Sequence, residues 1–540
     1  MPVHTQGAPR PLDWYGSRFC LQDAVKTYQS PDGGRTVNRA RVRLAGRRKR
    51  PWRGCHGGQT SYAGGANEPQ TRAKTFGVDP LRVVVFLLMF VILSRIHHHF
   101  AFIGRLRPAL LLTAAALVIA LAKPGLLTKQ PVLKQWPALV VIALGVSACL
   151  SVPFGISLGN SASFILEAYG KVLVISVLLM LATRNSRDIS TYVWAYVLSM
   201  GVLVWMAFFV FQSYEIMGVE RLLQVYSYDT NDLALVLAVG IPLVLWQLET
   251  GRGVQRAIAV VVLLVSLMAI ARTGSRGGLL ALVGVGLGFL LLADHFSVVR
   301  KTVFAASALI ALLLVAPQGY WERMETIVNP TGDYNWTSTD GRLALLTRGF
   351  GYMASHPVFG IGINNFARAE GTISSKARRS PTGAGVSWTA PHNSYIEVGA
   401  EMGVPAMILW AALPIGGLIS MYRLRRRIPR SWRAGEWEER FLSLGATYLA
   451  IALLAFAVSS AFLSFAYMPP IYLLTALVVG VRAGVEGKLR STTGVAPSAT
   501  FRRSSRSRAG LASRVLPLCR NLPPVEPDRL SSPLVPEQLV

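Results

Sequence analysis

Apolar residues along this chain fall in long blocks separated by short polar turns. Twelve blocks stand out, at about 77–94, 108–122, 136–152, 163–182, 190–211, 231–248, 256–272, 277–293, 303–316, 398–419, 441–463 and 469–482. Most approach the ~20 residues that carry a helix across a bilayer core. In lipid a spanning segment must satisfy its own backbone hydrogen bonds, so a helix is the expected element for each block. The pattern predicts an all-α polytopic membrane protein with about twelve transmembrane helices.

Composition agrees. Of 540 residues, 52% are hydrophobic and only 15% charged, against roughly 25% charged in a soluble domain. Length alone would allow three or four soluble domains; this composition excludes them. The basic residues then orient the helices, because Lys and Arg favour cytoplasmic loops. With both termini inside, the inner loops carry Lys123, Lys129 and Lys134, then Arg184 and Arg187, Arg252 and Arg256, Arg300 and Lys301, and the cluster from Arg423 to Arg433. The short outer loops carry few, except the first, with Arg95, Arg105 and Arg107.

One connection differs from the rest. Residues 317–397 form a loop of about eighty residues between the ninth and tenth blocks, placed outside by this orientation. Long loops on compact bodies are usually functional or disordered, and the Trp, Tyr, Phe and hydrophobic stretches here imply that at least part folds. Within it, 341–355 has the three-to-four spacing of an amphipathic helix, with Leu343, Leu346, Phe350 and Met353 on one stripe. Such a helix would lie along the membrane surface. Residues 371–388 are rich in Gly, Ser, Lys and Arg and read as a flexible flap.

The net charge of +28 is concentrated at the ends. Residues 1–75 hold 14 Lys/Arg and 4 acids, and 483–540 hold 9 and 4. The domain plan is therefore a basic, disordered tail at 1–76, a membrane domain at 77–482 that includes the 317–397 loop, and a second basic cytoplasmic tail at 483–540. Beside a membrane body, basic tails fit anionic lipid better than nucleic acid, and no nucleic-acid partner is expected. A start at Val78 would leave the first tail untranslated; mass spectrometry of the N-terminal peptide tests this. Cys20, Cys55, Cys149 and Cys519 show no metal or redox spacing, and His97, His98 and His99 are consecutive and share no helix face.

Candidate chemistry gathers where the large loop meets the tenth block, at Pro391-His392-Asn393-Ser394-Tyr395-Ile396-Glu397 and Ala400-Glu401-Met402-Gly403. A neutral imidazole at His392 could accept a proton from a hydroxyl. Glu397 and Glu401 enter the apolar helix, where an ionisable group has a partner or a task. The plainer reading has His392 and Asn393 capping the helix and Glu401 pairing with an arginine. Outer arginines lie at Arg272 and Arg276, in Thr273-Gly274-Ser275-Arg276-Gly277-Gly278, and at Arg342 and Arg348 in the loop. Guanidinium forks suit phosphate oxygens. Snorkelling to the interface is the alternative, favoured for Arg272 and Arg348. Gly277 and Gly278 would permit close helix packing. Glu167 and Lys171, four apart in an apolar block, read as an ion pair.

Together these stretches resemble the O-antigen ligase family. The resemblance rests on Tyr228-Asp229-Thr230-Asn231-Asp232-Leu233-Ala234, Thr273 to Leu280, Gly341-Arg342-Leu343, His356 to Phe366, and His392 to Glu397 through Glu401-Met402-Gly403. It covers roughly 78–482 and neither tail. It implies a GT-C-like, multi-pass enzyme of the bacterial inner (cytoplasmic) membrane, with its site on the periplasmic side. The implied reaction moves a glycan from undecaprenyl diphosphate to a sugar hydroxyl of lipid A–core, without cofactor or metal. The implied catalytic residues are His392, Arg276 and Arg342. Arg276, Arg342, Arg348, Asn393 and Glu401 are the candidates for substrate binding. The expected partners are the lipid-linked donor, a lipid A–core or glycan acceptor, and membrane lipid.

Two other functions compete. A polymerase would use the same donor. Polymerases of this kind often place Gly eleven positions after an external Arg, and no external Arg here does so. A twelve-span secondary transporter would place its polar residues near the midplane, in helices broken in both halves; here they cluster in one external loop.

Overall fold

A computed structural model describes residues 79–492, apart from 124, 126–130, 212, 217–218, 223–227, 317–318, 330–337, 339–340 and 380–388. Both basic tails lie outside the described residues, except for the few that extend the last helix, Pro469–Thr492. Eight helices are long and apolar enough to cross a membrane: Trp136–Phe154, Leu158–Ala182, Ser186–Phe209, Thr230–Thr250, Val254–Thr273, Val404–Arg427, Trp437–Phe462 and Pro469–Ser491. Shorter apolar helices occupy Pro80–Ser94, Pro108–Leu121 and Arg276–Leu292, and a further helix Val298–Val315. The chain is a multi-pass membrane protein. Each of the twelve apolar blocks coincides with helix, and eight meet the length of a full span. One departure from all-helix is a short antiparallel hairpin, Ser213–Ile216 with Val219–Leu222.

The helices differ in how much of their surface is covered. Thr230–Thr250 has 89% of its apolar window buried and Trp437–Phe462 83%, against 33% for Trp136–Phe154. A helix that is apolar all round belongs in the interior, and these two form the centre of the bundle. Trp246 stacks on Phe441 at 4.5 Å, and its indole N–H donates to the Phe441 carbonyl at 3.0 Å. The outer helices instead expose residues such as Leu166, Phe209, Val261 and Leu291, as a lipid-facing surface requires.

The tenth block is not one continuous span. A short helix, Ser394–Met402, stops at Gly403, whose φ of 87° lies in the left-handed region, and the spanning helix Val404–Arg427 begins afresh. The cause is the large loop, which packs into the break. Ile361 N–H donates to the Ala400 carbonyl at 2.9 Å and Val404 N–H to the Pro357 carbonyl at 2.8 Å. A Cβ at residue 403 would sit 2.2 Å from the Val358 carbonyl oxygen, so only glycine fits.

The predicted loop helix is present as Arg342–Ser355, but its packed face is rotated from the expected stripe. Leu345, Gly349, Tyr352 and Met353 are buried, while Leu343 and Phe350 are exposed. Contact with Ser394–Met402 decides this: a Cβ at Gly349 would meet Ile396 at 2.3 Å, and one at Gly399 would meet Met353 at 2.8 Å. Part of the expected flap is also helical, at Phe366–Thr372 and Ser375–Arg379; 380–388 lie outside the described residues.

Candidate active site

The junction of loop and membrane body is held by a dense set of hydrogen bonds. Asn393 caps the Ser394–Met402 helix, its side-chain oxygen accepting from Tyr395 N–H at 3.0 Å and Ile396 N–H at 3.1 Å. Its amide nitrogen donates to the Ala461 carbonyl at 3.0 Å. Ser394 Oγ donates to the Leu463 carbonyl at 2.6 Å and accepts from Phe465 N–H at 2.9 Å. His392 N–H donates to Ser464 Oγ at 2.9 Å. Three consecutive residues are thus tied to the turn between the last two spans. His392 itself adopts φ 50°, a left-handed conformation uncommon for a residue with a side chain. Its backbone geometry is imposed by this web.

The surroundings of the imidazole set its chemistry. Burial pulls the His392 pKa below the usual 6.5. The positive charge of Arg342 lowers it further, and the carboxylate of Asp229 works the other way. At neutral pH the ring is uncharged and one nitrogen carries a lone pair. Arg342 opens the loop helix. Asp229 caps the central Thr230–Thr250 helix in a capping box, accepting from Asn231 and Asp232 N–H at 2.7 Å each. Beside it, Tyr228 is fully buried, with its ring 6.4 Å from Phe465 and under the Arg95 guanidinium at 5.5 Å.

Arg276 is positioned from the other side of the same turn. Gly274, at φ 56°, ends one helix, and Ser275 caps the next, its hydroxyl accepting from Gly278 N–H at 3.2 Å. Arg276 is the first residue of the Arg276–Leu292 helix, and its Nη1 donates to Thr326 Oγ1 at 2.8 Å. A Cβ at Gly277 would lie 3.5 Å from Phe462 Cβ, and one at Gly278 would lie 2.7 Å from Ala234 Cβ. The glycines allow the close packing foreseen for them, and that packing places Arg276 beside the segment that anchors His392. The helix start adds a partial positive charge, suited to an anion.

The remaining candidates build the frame. Glu401 Oε2 accepts from Asn364 N–H at 2.8 Å and from the Tyr467 hydroxyl at 2.7 Å, and Oε1 accepts from Phe366 N–H at 2.9 Å. It pins the loop segment 360–366 to the membrane body, with no arginine partner among the described residues. Glu397 accepts from Ala466 N–H at 3.3 Å. Arg348 Nε donates to the buried Glu370 at 2.6 Å, and the Tyr352 hydroxyl donates to the same carboxylate at 2.9 Å. That ion pair joins two loop helices. Arg272 lies over the Phe208 ring at 5.6 Å.

Residues 259–411 match the family described as O-antigen ligase. That segment is similar to the O-antigen ligase family. The match takes in Arg276, Arg342, Arg348, His392, Asn393 and Glu401. No curated protein matches the chain.

Two parts of the candidate site lie outside the matched segment and are not among the site residues expected from the sequence. One is Asp229; its signal is the Asp-x-x-Asp capping box just ahead of an apolar block. The other is the turn 461–467, whose Ser464 and Tyr467 give no motif at all. The expected Glu167–Lys171 ion pair does not form among the described residues. Both are exposed, and a π turn, Ile165–Tyr169, shifts the register between them. His97 lies in the short Ile96–His99 helix; burial, with His98 and Arg95 adding to it, draws its pKa down to about 4.

Proposed function

We propose that this protein is a glycosyltransferase of the bacterial inner membrane, acting on its periplasmic side as an O-antigen ligase. The donor is a glycan on undecaprenyl diphosphate and the acceptor a sugar hydroxyl of lipid A–core. The observation that carries the proposal is the grouping of His392, Arg342 and Asp229, with the imidazole held neutral at a fixed point.

In this reading His392 removes the proton from the acceptor hydroxyl as its oxygen attacks the anomeric carbon of the donor. The new C–O bond forms as the bond to the diphosphate breaks, and the electron pair leaves with the diphosphate. Arg342 and Arg276 offer fixed guanidinium groups to the charge that develops there, usually the largest contribution in such sites. Asp229 stabilises the imidazolium that forms. Asn393 positions His392, Glu401 positions the loop, and Arg348 braces the loop helices through Glu370. The chemistry uses no metal.

Reconstitution of the purified full chain with a lipid-linked glycan donor and lipid A–core tests this. The wild-type chain should move glycan to lipid A–core, and Arg276→Ala and Arg342→Ala should insert normally but lose most of their transfer. Transfer to a second lipid-linked glycan alone would make the protein a polymerase. Undiminished transfer by both variants would remove the arginines from the site.

A further inference from the structure

A basic cavity lies at the opposite end of the bundle. Its volume is about 510 Å³, and its walls include Trp136, Ser420, Arg423, Leu424, Arg427 and Arg482. The Trp136–Phe154 helix fixes its position relative to His392. Trp136 is at one end of that helix, and just past the other end Ile156 N–H donates to the loop carbonyl of Ile361 at 2.9 Å. Nineteen residues of helix separate them, about 28 Å at 1.5 Å per residue.

The cavity is amphiphilic. Arg423 and Arg427 are exposed, one turn apart, and neither forms an ion pair among the described residues. Arg482 reaches in from the last helix. It donates to Ser420 Oγ at 2.8 Å and faces Glu486 at 3.5 Å, while its buried Nε has no hydrogen-bond partner among the described residues. Three arginines against one glutamate leave an excess of positive charge. Beneath them the floor is apolar. Trp136 packs so close to Gly416 that a Cβ there would lie 2.9 Å from the indole, within the π turn Ala412–Gly416. Below the arginines, Ile408, Ile415 and Ile419 are all exposed on the Val404–Arg427 helix. The preference of basic residues for inner loops accounts for the charge. It does not account for a walled cavity with a tryptophan floor and an apolar track running from it.

We propose that this cavity binds the phosphodiester headgroup of an anionic phospholipid, with its acyl chains lying along the Ile408–Ile419 track. Basic pockets between membrane helices take such headgroups, and the arginine forks match phosphate oxygens. The shared chemistry would also admit free phosphate, which lacks anything to occupy the track.

The test is native mass spectrometry of the full chain in neutral detergent, titrated with phosphatidylglycerol, phosphatidylcholine or inorganic phosphate. Arg423→Gln and Arg427→Gln remove exposed charges that have no ion-pair partner among the described residues. Each should weaken phosphatidylglycerol binding about fivefold, and the pair about twenty-five-fold. Arg252→Gln, an exposed arginine outside the cavity, should leave binding unchanged. Equal retention by the double variant, or an equal loss in Arg252→Gln, overturns the site. Equal binding of phosphatidylcholine overturns the requirement for an anionic headgroup. Protection of the cavity by inorganic phosphate at the same concentration overturns the lipid as its source.

Discussion

Arginine does two different jobs at the two ends of this molecule, and backbone regularity separates them. At the loop end, the charged side chains around the site sit among bent backbone: His392 at φ 50°, Asn364 at 61°, Gly360 at 67°, Gly362 at 91° and Gly403 at 87°. Such conformations persist only where surrounding contacts over-determine them, and here those contacts are the hydrogen bonds of Asn393, Ser394 and Glu401. At the other end, Arg423 to Arg427 ride the last turns of a helix. Arg425 pairs with Asp294 at 3.0 Å, on a carboxylate that is half exposed. The difference teaches that charge alone does not mark a reactive site. Fixed geometry with partial burial does, and replacing one arginine should have opposite consequences at the two ends.

The largest expected break of this comparison is at His392. General bases contribute about 10²- to 10⁴-fold in rate, so His392→Ala should lose about that much in a reconstituted transfer assay while retaining donor. Next, Arg342→Lys and Arg276→Lys should each lose at least about tenfold in kcat, because lysine keeps the charge but not the fork. Arg425→Lys, at the opposite end, should keep wild-type transfer and melting temperature. Equal tolerance at all three positions would erase the distinction.

A subtler difference concerns the frame. Glu401→Ala leaves three hydrogen-bond donors, Asn364 N–H, Phe366 N–H and the Tyr467 hydroxyl, without their acceptor. At about 1 kcal/mol or more each, the loss should show as a lower melting temperature, and Glu401→Gln should recover part of it. A melting temperature unchanged by Glu401→Ala would show that the loop is held elsewhere.

The smallest expected shift is in pH dependence. Arg342 lowers the His392 pKa, so Arg342→Gln should move the acid limb of residual transfer upward, toward 6.5. Asp229 raises it, so Asp229→Asn should move the limb down. Shifts of the same sign in both variants would contradict the assigned surroundings.

Much of this arrangement was legible in the sequence. The twelve apolar blocks located the helices because hydropathy over some twenty residues is a strong signal. Arg276, Arg342 and His392 stood out because a cation or imidazole beside an apolar run invites explanation. The break at Gly403 was hidden, since Ala-Met-Ile-Leu-Trp continues the apolar pattern and only the docked loop requires a positive φ there. The packed face of Arg342–Ser355 departs from the expected stripe for a related reason. Small residues such as Gly349 can form the tightest contact and carry no hydrophobic signal. The electrostatic influence of Asp229 on His392 spans over 160 positions of sequence, which no local pattern could encode.

The central claim is that a neutral imidazole at residue 392 accepts the acceptor's proton. The pH dependence of single-turnover transfer, measured side by side for the wild-type chain and His392→Gln, tests it most directly. The account predicts an acid limb with a midpoint below 6.5 in the wild type, and a rate lower by about two orders of magnitude or more without that limb in the variant. The same limb and the same rate in His392→Gln would contradict it.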